Sequence, residues 1–381
     1  MGAPARVLHV LSSTMRAGVE MMVMNLYREM DRSKVQFDFV AHDLGEDDLG
    51  EEIRRLGGRV FRVPLLSKVG IGPFVRIIRG VIKEHGPYAA VHTHTDYQGG
   101  FSALAAKQAG VARRICHAHL DTRGMHSPLF LAKKHLGRAY IRRNATRLCA
   151  CSRYAGIALY GRRTMEKGLV RIINNGIDLT GYADFDPHTR ESLLLSCNAD
   201  GNARLIGNVA RLNPVKNHAF LLDMAAEAKA AGLHYRFVIV GSGDLYEDLM
   251  EKRRRAGLTD TVFFLGTRDD VPQLMQCFDA FVLPSHAEGL PLTVIEAQAA
   301  GTPVVAAACV PDEADMGLGL LHKVPVESGA LSWLDCIGRV TGQAGRPDAA
   351  TRLNAVRRRG FDAKSNVRTV AALYGLDDGR A

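Results

Sequence analysis

The chain has 381 residues, enough for two domains of ordinary size, each with its own core. With 47% apolar and 23% charged residues it has the balance of a soluble globular protein, which excludes a disordered chain. No apolar run approaches the roughly 20 residues of a membrane-spanning helix, and the opening MGAPARVLHVLSS reads as a first strand rather than a signal peptide, so a cytoplasmic protein is expected.

The net charge of +9 is uneven: residues 1–180 hold 28 Lys and Arg against 15 Asp and Glu, and residues 181–381 hold 21 against 25. Much of the excess lies in KKHLGRAYIRRNATR (133–147) and GRRTMEK (161–167). Such runs are solvated helix faces, or they attract an anionic membrane or a phosphorylated acceptor. No nucleic-acid-binding motif accompanies them, and nucleic acid is not expected as a partner. The seven cysteines form no CxxC pair and are expected as buried thiols rather than disulfides or zinc ligands.

From the amino terminus, short apolar runs alternate with longer amphipathic segments. Strand-like runs at 6–11, 37–41, 60–64, 89–94, 114–119 and 148–152 are separated by helix-like stretches at 21–30, 49–56, 74–83, 101–109 and 129–142. This rhythm predicts a parallel sheet covered by helices on both faces. Residues 174–200, with Asn-Gly, Pro and scattered acids, interrupt it and read as a linker. Strand-like runs resume at 205–210, 236–241, 261–265, 280–284 and 304–308, with helical stretches at 218–230, 245–255 and 292–300, and the tail 351–373 looks helical. The expected architecture is α/β, two Rossmann-like doubly wound domains facing an interdomain cleft. Their boundaries fall at 1–175, a linker at 176–200, 201–350, and a helical tail at 351–381 expected to pack back towards the first domain.

Several loops that follow strands carry residues suited to chemistry. The stretch AFVLPSHAEGLPLTVIEAQAAGTPVV (280–305) is a βαβ unit whose loop and first helical turn lie where open α/β sheets bind ligands, and the free N–H groups of a helix start favour an anion. Glu288 and Glu296 in it would repel a phosphate, so beside a nucleotide they should face uncharged hydroxyls. ARLNPVKNH places Arg211 and Lys216 after a strand and at a helix start, a site suited to a diphosphate. Gly18 follows the first strand, and Gly241 with Gly243 follows a later one; a lone GxG is no dinucleotide fingerprint. Arg268 lies in FLGTRDDVPQL, whose backbone can border a flat base. His92 with His94, and His117 with His119, end two strands, each pair on one face. They lack the carboxylate or cysteine of a familiar metal site, and no metal is expected.

The blocks VLHVLSSTMRAGVEMMVMNLYREMDRSKVQFDF, VHTHTDYQGG, RICHAH, ACS, NNGID, ARLNPVKNH, VGSGDL and the long block ending AGTPVV, in this order, resemble the retaining glycosyltransferases of family 4, which have the GT-B fold, and especially the capsule and exopolysaccharide branch. The resemblance covers most of the chain, and its most specific part is the block with two glutamates. It implies that Glu296 accepts hydrogen bonds from the donor ribose and that Glu288 faces the donor sugar. It implies that Arg211 and Lys216 neutralise the diphosphate with backbone N–H groups from Gly289 through Leu290 to Leu292, that Gly18 belongs to a loop closing on the donor phosphate, and that His117 points at the reacting sugar. Gly241 and Arg268 complete the expected donor-binding set. Two departures stand out: Ala17 replaces the first glycine of that loop, and Asn174-Asn175-Gly176 replaces Pro-Asn-Gly.

The activity so implied is transfer of a sugar from a nucleotide-diphosphate donor, with UDP as the default, to a saccharide or lipid-linked saccharide. The first domain would bind the acceptor and the second the donor. No cofactor is expected, and catalysis would run through His117, Arg211, Lys216 and Glu288. The expected location is cytoplasmic, with peripheral contact at an anionic inner membrane. The alternatives are a GT-B nucleotide-sugar epimerase and a catalytically silent nucleotide-sugar-binding scaffold.

Overall fold

The structure is a computed structural model, and it describes residues 3–16, 18–42, 49–120, 127–342 and 345–376; Ala17 lies outside them. The chain divides into two compact units. One runs to Asp178 and resumes at Gly360; the other is Leu179–Arg359.

In the first unit, seven strands form one sheet: β1 (Ala5–Val10), β2 (Val35–His42), β3 (Val60–Val63), β4 (Ala90–Thr93), β5 (Arg113–Ala118), β6 (Arg147–Ala150) and β7 (Val170–Ile172). Their order is β3-β2-β1-β4-β5-β6-β7, with every neighbour parallel. The order reverses between β1 and β4, whose register sets His9 opposite His92. One core gathers Val7, Phe37, Phe39 and Ile115 against the helix Ala363–Tyr374, through Val370, Leu373 and Tyr374.

The second unit repeats the plan with β8 (Arg204–Val209), β9 (Tyr235–Val240), β10 (Val262–Phe264), β11 (Ala280–Leu283), β12 (Val304–Ala307) and β13 (Leu321–Val324), in the order β10-β9-β8-β11-β12-β13, all parallel. β11 and β12 are buried throughout, which their unbroken apolar sequences AFVL and VVAA require of strands covered on both faces. Reversal falls between β8 and β11. Trp333 is fully buried in this core, its indole donating to the Pro325 carbonyl at 3.0 Å.

Two stretches differ from the sequence reading. Within 176–200, Pro187–Ser196 is a helix of the second unit, started by Asp186, whose side chain accepts from the His188 N–H. The 351–373 tail is two helices, Ala349–Arg358 in the second unit and Ala363–Tyr374 in the first. The break is at Gly360, whose φ of +79° no helix accommodates. Phe361 and Ala363 then pair with Ile177, and Asp362 caps the last helix.

Candidate functional site

In the second unit, the loops after β8 and β11 meet at the reversal of strand order, the place where a doubly wound sheet holds ligands. After β8 the chain makes a tight turn at Pro214–Lys216, started by Asn213, whose side chain accepts from the Lys216 N–H at 3.2 Å. Asn217 follows in the left-handed conformation, which asparagine tolerates, and its amide donates to the Pro284 carbonyl at the end of β11 at 3.1 Å. The His286 N–H donates to the Val215 carbonyl at 2.8 Å, so the two loops are stitched together by backbone.

That stitching sets Lys216 Nζ 2.7 Å from Glu288 Oε1, and the Ser285 hydroxyl donates to the same oxygen at 2.6 Å. Glu288 is only 6% exposed and Lys216 23%, so this is a largely desolvated ion pair. Beneath it, buried His218 bonds to Asn208 Oδ1 at 3.1 Å, and Asn208 Nδ2 donates to the Val282 carbonyl at 2.8 Å, tying β8 to β11. Burial, then the Lys216 charge, lower the His218 pKa to about 4, which keeps it neutral. Arg211 is exposed, with no side-chain hydrogen bond or ion pair among the described residues.

The helix Leu292–Ala299 starts at Pro291 with no side-chain cap; the Val294 N–H donates to the Pro291 carbonyl at 3.1 Å, and among the described residues the Leu292 and Thr293 N–H groups are left to a ligand or water. Gly289, Leu290 and Leu292 lead into that start, and a Cβ on Gly289 would meet nothing within 4 Å. Glu296, one turn in, is partly buried, and burial raises its pKa to about 7. Cys309, the exposed one of the seven free cysteines, donates to the Ser285 carbonyl at 3.2 Å; the buried-thiol expectation fits the other six.

Gly241 and Arg268 have other partners. A Cβ on Gly241, at φ +135°, would run into the Ala210 carbonyl, so the glycine lets the β9 loop lie against the β8 loop. Arg268 forms a two-pronged pair with Asp270 at 2.8 and 2.6 Å and lines a cavity of about 350 Å³ with Asp186, His188 and Ser192.

In the first unit, Gly18 opens the helix Gly18–Glu29, and a Cβ there would meet nothing within 4 Å. His117 is 1% exposed, with its Nδ1 3.2 Å from His92 Nε2. Neither ring nitrogen reaches solvent, whereas His119, one pleat further along, is partly exposed. The two histidine pairs converge with His9 and Tyr374, which the sequence reading did not single out. His9 lay within a predicted strand with the alternation that would have marked it; Tyr374 carried no signal. Ring nitrogens of His9, His92 and His94, and of His94, His117 and His119, lie within 4.8 Å of one another in each set.

Residues 16–180 match the model of Glycosyltransferase Family 4, and residues 203–330 match that of Glycosyl transferases group 1. The chain is 42% identical over 376 residues to a Bacillus subtilis (strain 168) protein named "Putative glycosyltransferase EpsF", covering 97% of this chain and 96% of that one. It is 25% identical over 314 residues to the Escherichia coli UDP-Gal:alpha-D-GlcNAc-diphosphoundecaprenol alpha-1,3-galactosyltransferase, covering 79% and 78%. Among solved structures, Anabaena Alr3699/HepE in complex with UDP superimposes with a TM-score of 0.75 at 22% identity, covering 97% of this chain and 99% of that one. The chain therefore belongs to the family 4 glycosyltransferases, and its two parallel-sheet domains are those of the GT-B fold.

Proposed function

We propose that this protein is a retaining glycosyltransferase that moves a hexose from a UDP-linked donor to a saccharide or lipid-linked saccharide in cell-surface polysaccharide synthesis, without a metal or other cofactor. The observation that carries the reading is the Lys216–Glu288 pair beside the uncapped start of Leu292–Ala299. Lys216 keeps two further N–H donors for a diphosphate, and Arg211, with no side-chain partner among the described residues, comes from the same loop. Fixed cations with helix N–H groups stabilise the charge that develops on a departing diphosphate, the task a metal performs elsewhere. Glu288 is already bonded to Lys216 and Ser285, which supports reading it as a sugar ligand rather than a nucleophile and same-face attack with the leaving phosphate as base as the route. Glu296 would accept from the ribose hydroxyls, and Gly18 leaves room for a phosphate. The E. coli relative's name gives a UDP sugar and a diphosphoundecaprenol acceptor, and the Anabaena protein is solved with UDP-glucose.

Contact with an anionic membrane rests on the helix Pro128–Asn144, which exposes Leu129 and Leu136 beside Lys133, Arg142 and Arg143. Among the described residues no helix is long and apolar enough to cross a membrane.

The test is incubation with a panel of UDP and GDP sugars, with EDTA, with and without membrane extract. Acceptor-dependent release of the nucleoside diphosphate, with a retained anomer in the product, is expected. A changed sugar epimer would show an epimerase, and nucleotide binding without turnover a scaffold.

A further inference from the structure

At the ligand end of the first sheet, a cavity of about 460 Å³ opens beside the reversal of strand order, and its volume is within the range of small-molecule sites. Ser12 follows β1, His42 ends β2, and Tyr97 and Gln98 follow β4. Leu65, Leu66, Ile71, Phe101 and Leu136 make most of its wall apolar, and no acidic residue lines it among the described residues.

Two features make this lining cationic. Lys133 reaches it from the helix Pro128–Asn144, exposed and with no side-chain hydrogen bond or ion pair among the described residues. The 15-residue helix Ile71–His85 starts at the same cavity, at Gly70, with no side-chain cap and no acid in its first turn. Among the described residues its Ile71 and Gly72 N–H groups are left to a ligand or water. A Cβ on Gly70 or Gly72 would meet nothing within 4 Å, so an anion has room to approach them. His42 adds a polar group that the fold does not satisfy: it is 6% exposed, and its Nδ1 has no hydrogen-bond partner among the described residues.

Hydrocarbon alone would leave the cation and the helix start without a counter-charge, and a bare anion would leave the leucines facing water. An amphiphile that joins an aliphatic chain to a phosphate satisfies both. Leu129, Lys133 and Leu136, four and three residues apart, form one stripe of the helix Pro128–Asn144. Lys133 and Leu136 line the cavity, and Leu129, 65% exposed, continues the stripe outside it. We infer that this cavity takes the phosphate and the first isoprenoid units of a lipid-diphosphate acceptor. The phosphate sits at Lys133 and the start of Ile71–His85, the chain lies against Leu66, Phe101 and Leu136, and the remainder leaves along Leu129. The choice of a diphosphate lipid as the natural ligand rests on the transferase reading; the match of the cavity to an aliphatic phosphate does not.

Farnesyl diphosphate, used below its micelle-forming concentration, is a soluble probe, and isothermal titration calorimetry of the full-length protein reads its binding without turnover. It should bind at least about tenfold more tightly than farnesol or pyrophosphate. Equal binding of farnesol overturns the phosphate assignment, and equal binding of pyrophosphate overturns the chain assignment. Lys133→Glu and Leu136→Asp, both at exposed positions, should each weaken the probe about tenfold. Arg143→Glu, on the same helix but not lining the cavity, should leave it in place; an equal loss there reduces the effect to general charge attraction and overturns the site. Excess UDP should not displace the probe, and displacement would assign it to the loops of the second unit instead. In the transfer assay, Lys133→Glu should raise KM for the membrane-extract acceptor and leave KM for the UDP sugar in place; an unchanged acceptor KM removes the lipid site while the transferase reading stands. Conversely, probe binding with this pattern of variants but no sugar transfer would remove the proposed function and leave the aliphatic phosphate site standing.

Discussion

Lys216 and Arg211 come from one loop but are held differently, and their substitutions should separate accordingly. Lys216 is bonded to nearly buried Glu288, so Lys216→Met strands a carboxylate with only Ser285 beside it. Both the melting temperature and turnover should fall, turnover by about 10²-fold. Adding Glu288→Gln should restore the melting temperature without restoring turnover; recovery of activity would show that the cation is needed only for folding. Arg211→Ala breaks no bond in the described structure and should lower turnover while leaving thermal unfolding within about a degree, as a surface change does. Glu296 supplies a pH test. Its pKa of about 7 lies above the ordinary carboxylate value of 4.5, so the folded protein holds a proton that the unfolded chain releases between these values. Stability is therefore lost as pH rises through that window. Glu296→Gln should raise the melting temperature at pH 8, give no gain at pH 4, and weaken UDP binding. Equal melting temperatures at pH 8 would contradict the burial of the carboxyl.

At the scale of elements, the alternation of strand and helix was legible because both periodicities are strong in this chain, and the helix His218–Ala230 matches its expected span. The tail was harder, because apolar spacing continues through residues 351–373 and only Gly360 marks the break. The helix Pro187–Ser196 had its own start signal, Asp186 before Pro187, outweighed by the turn-forming residues around it. In the site, Lys216 and Glu288 were legible as members of one site from their loops, since strand order at a reversal brings such loops together, but their ion pair was not. The convergence of the histidines with Tyr374 was not, because it needs the lateral order β1-β4-β5 and a tyrosine 282 residues from His92. Asp362 sets where that tyrosine's helix begins, accepting from the Lys364 N–H and the Ser365 hydroxyl. Asp362→Ala should cost about 1 kcal/mol in denaturant unfolding, and with the helix loosened it should raise amide exchange in residues 363–374. Exchange unchanged there would place the stability of that helix in its packing alone.

For the whole molecule, the buried histidines dominate the response to acid. Their folded pKa values lie below 6.5, so the unfolded chain takes up protons that the fold refuses, and stability present above pH 6.5 is lost as pH falls. Unfolding at pH 5 should take up roughly four protons net, about six at His9, His92, His94, His117, His119 and His218 less about two released by Asp96 and Glu296, measurable by calorimetry in buffers of different ionisation enthalpy. Uptake of less than one proton would mean that these rings are already charged in the fold.

The return of the chain at Gly360 also has a consequence in time. On the ribosome, the strands of the first unit emerge first, then all of Leu179–Arg359, and only afterwards the helix Ala363–Tyr374 that covers Val7, Phe37 and Ile115. The amino-terminal half must therefore wait, with an apolar face and the Tyr374 side of His9 and His92 uncovered, while its neighbour is made and folds. A nascent chain halted before residue 360 is a natural client for a chaperone. Residues 1–178 expressed alone should aggregate, and a peptide spanning 360–376 supplied in trans should rescue them.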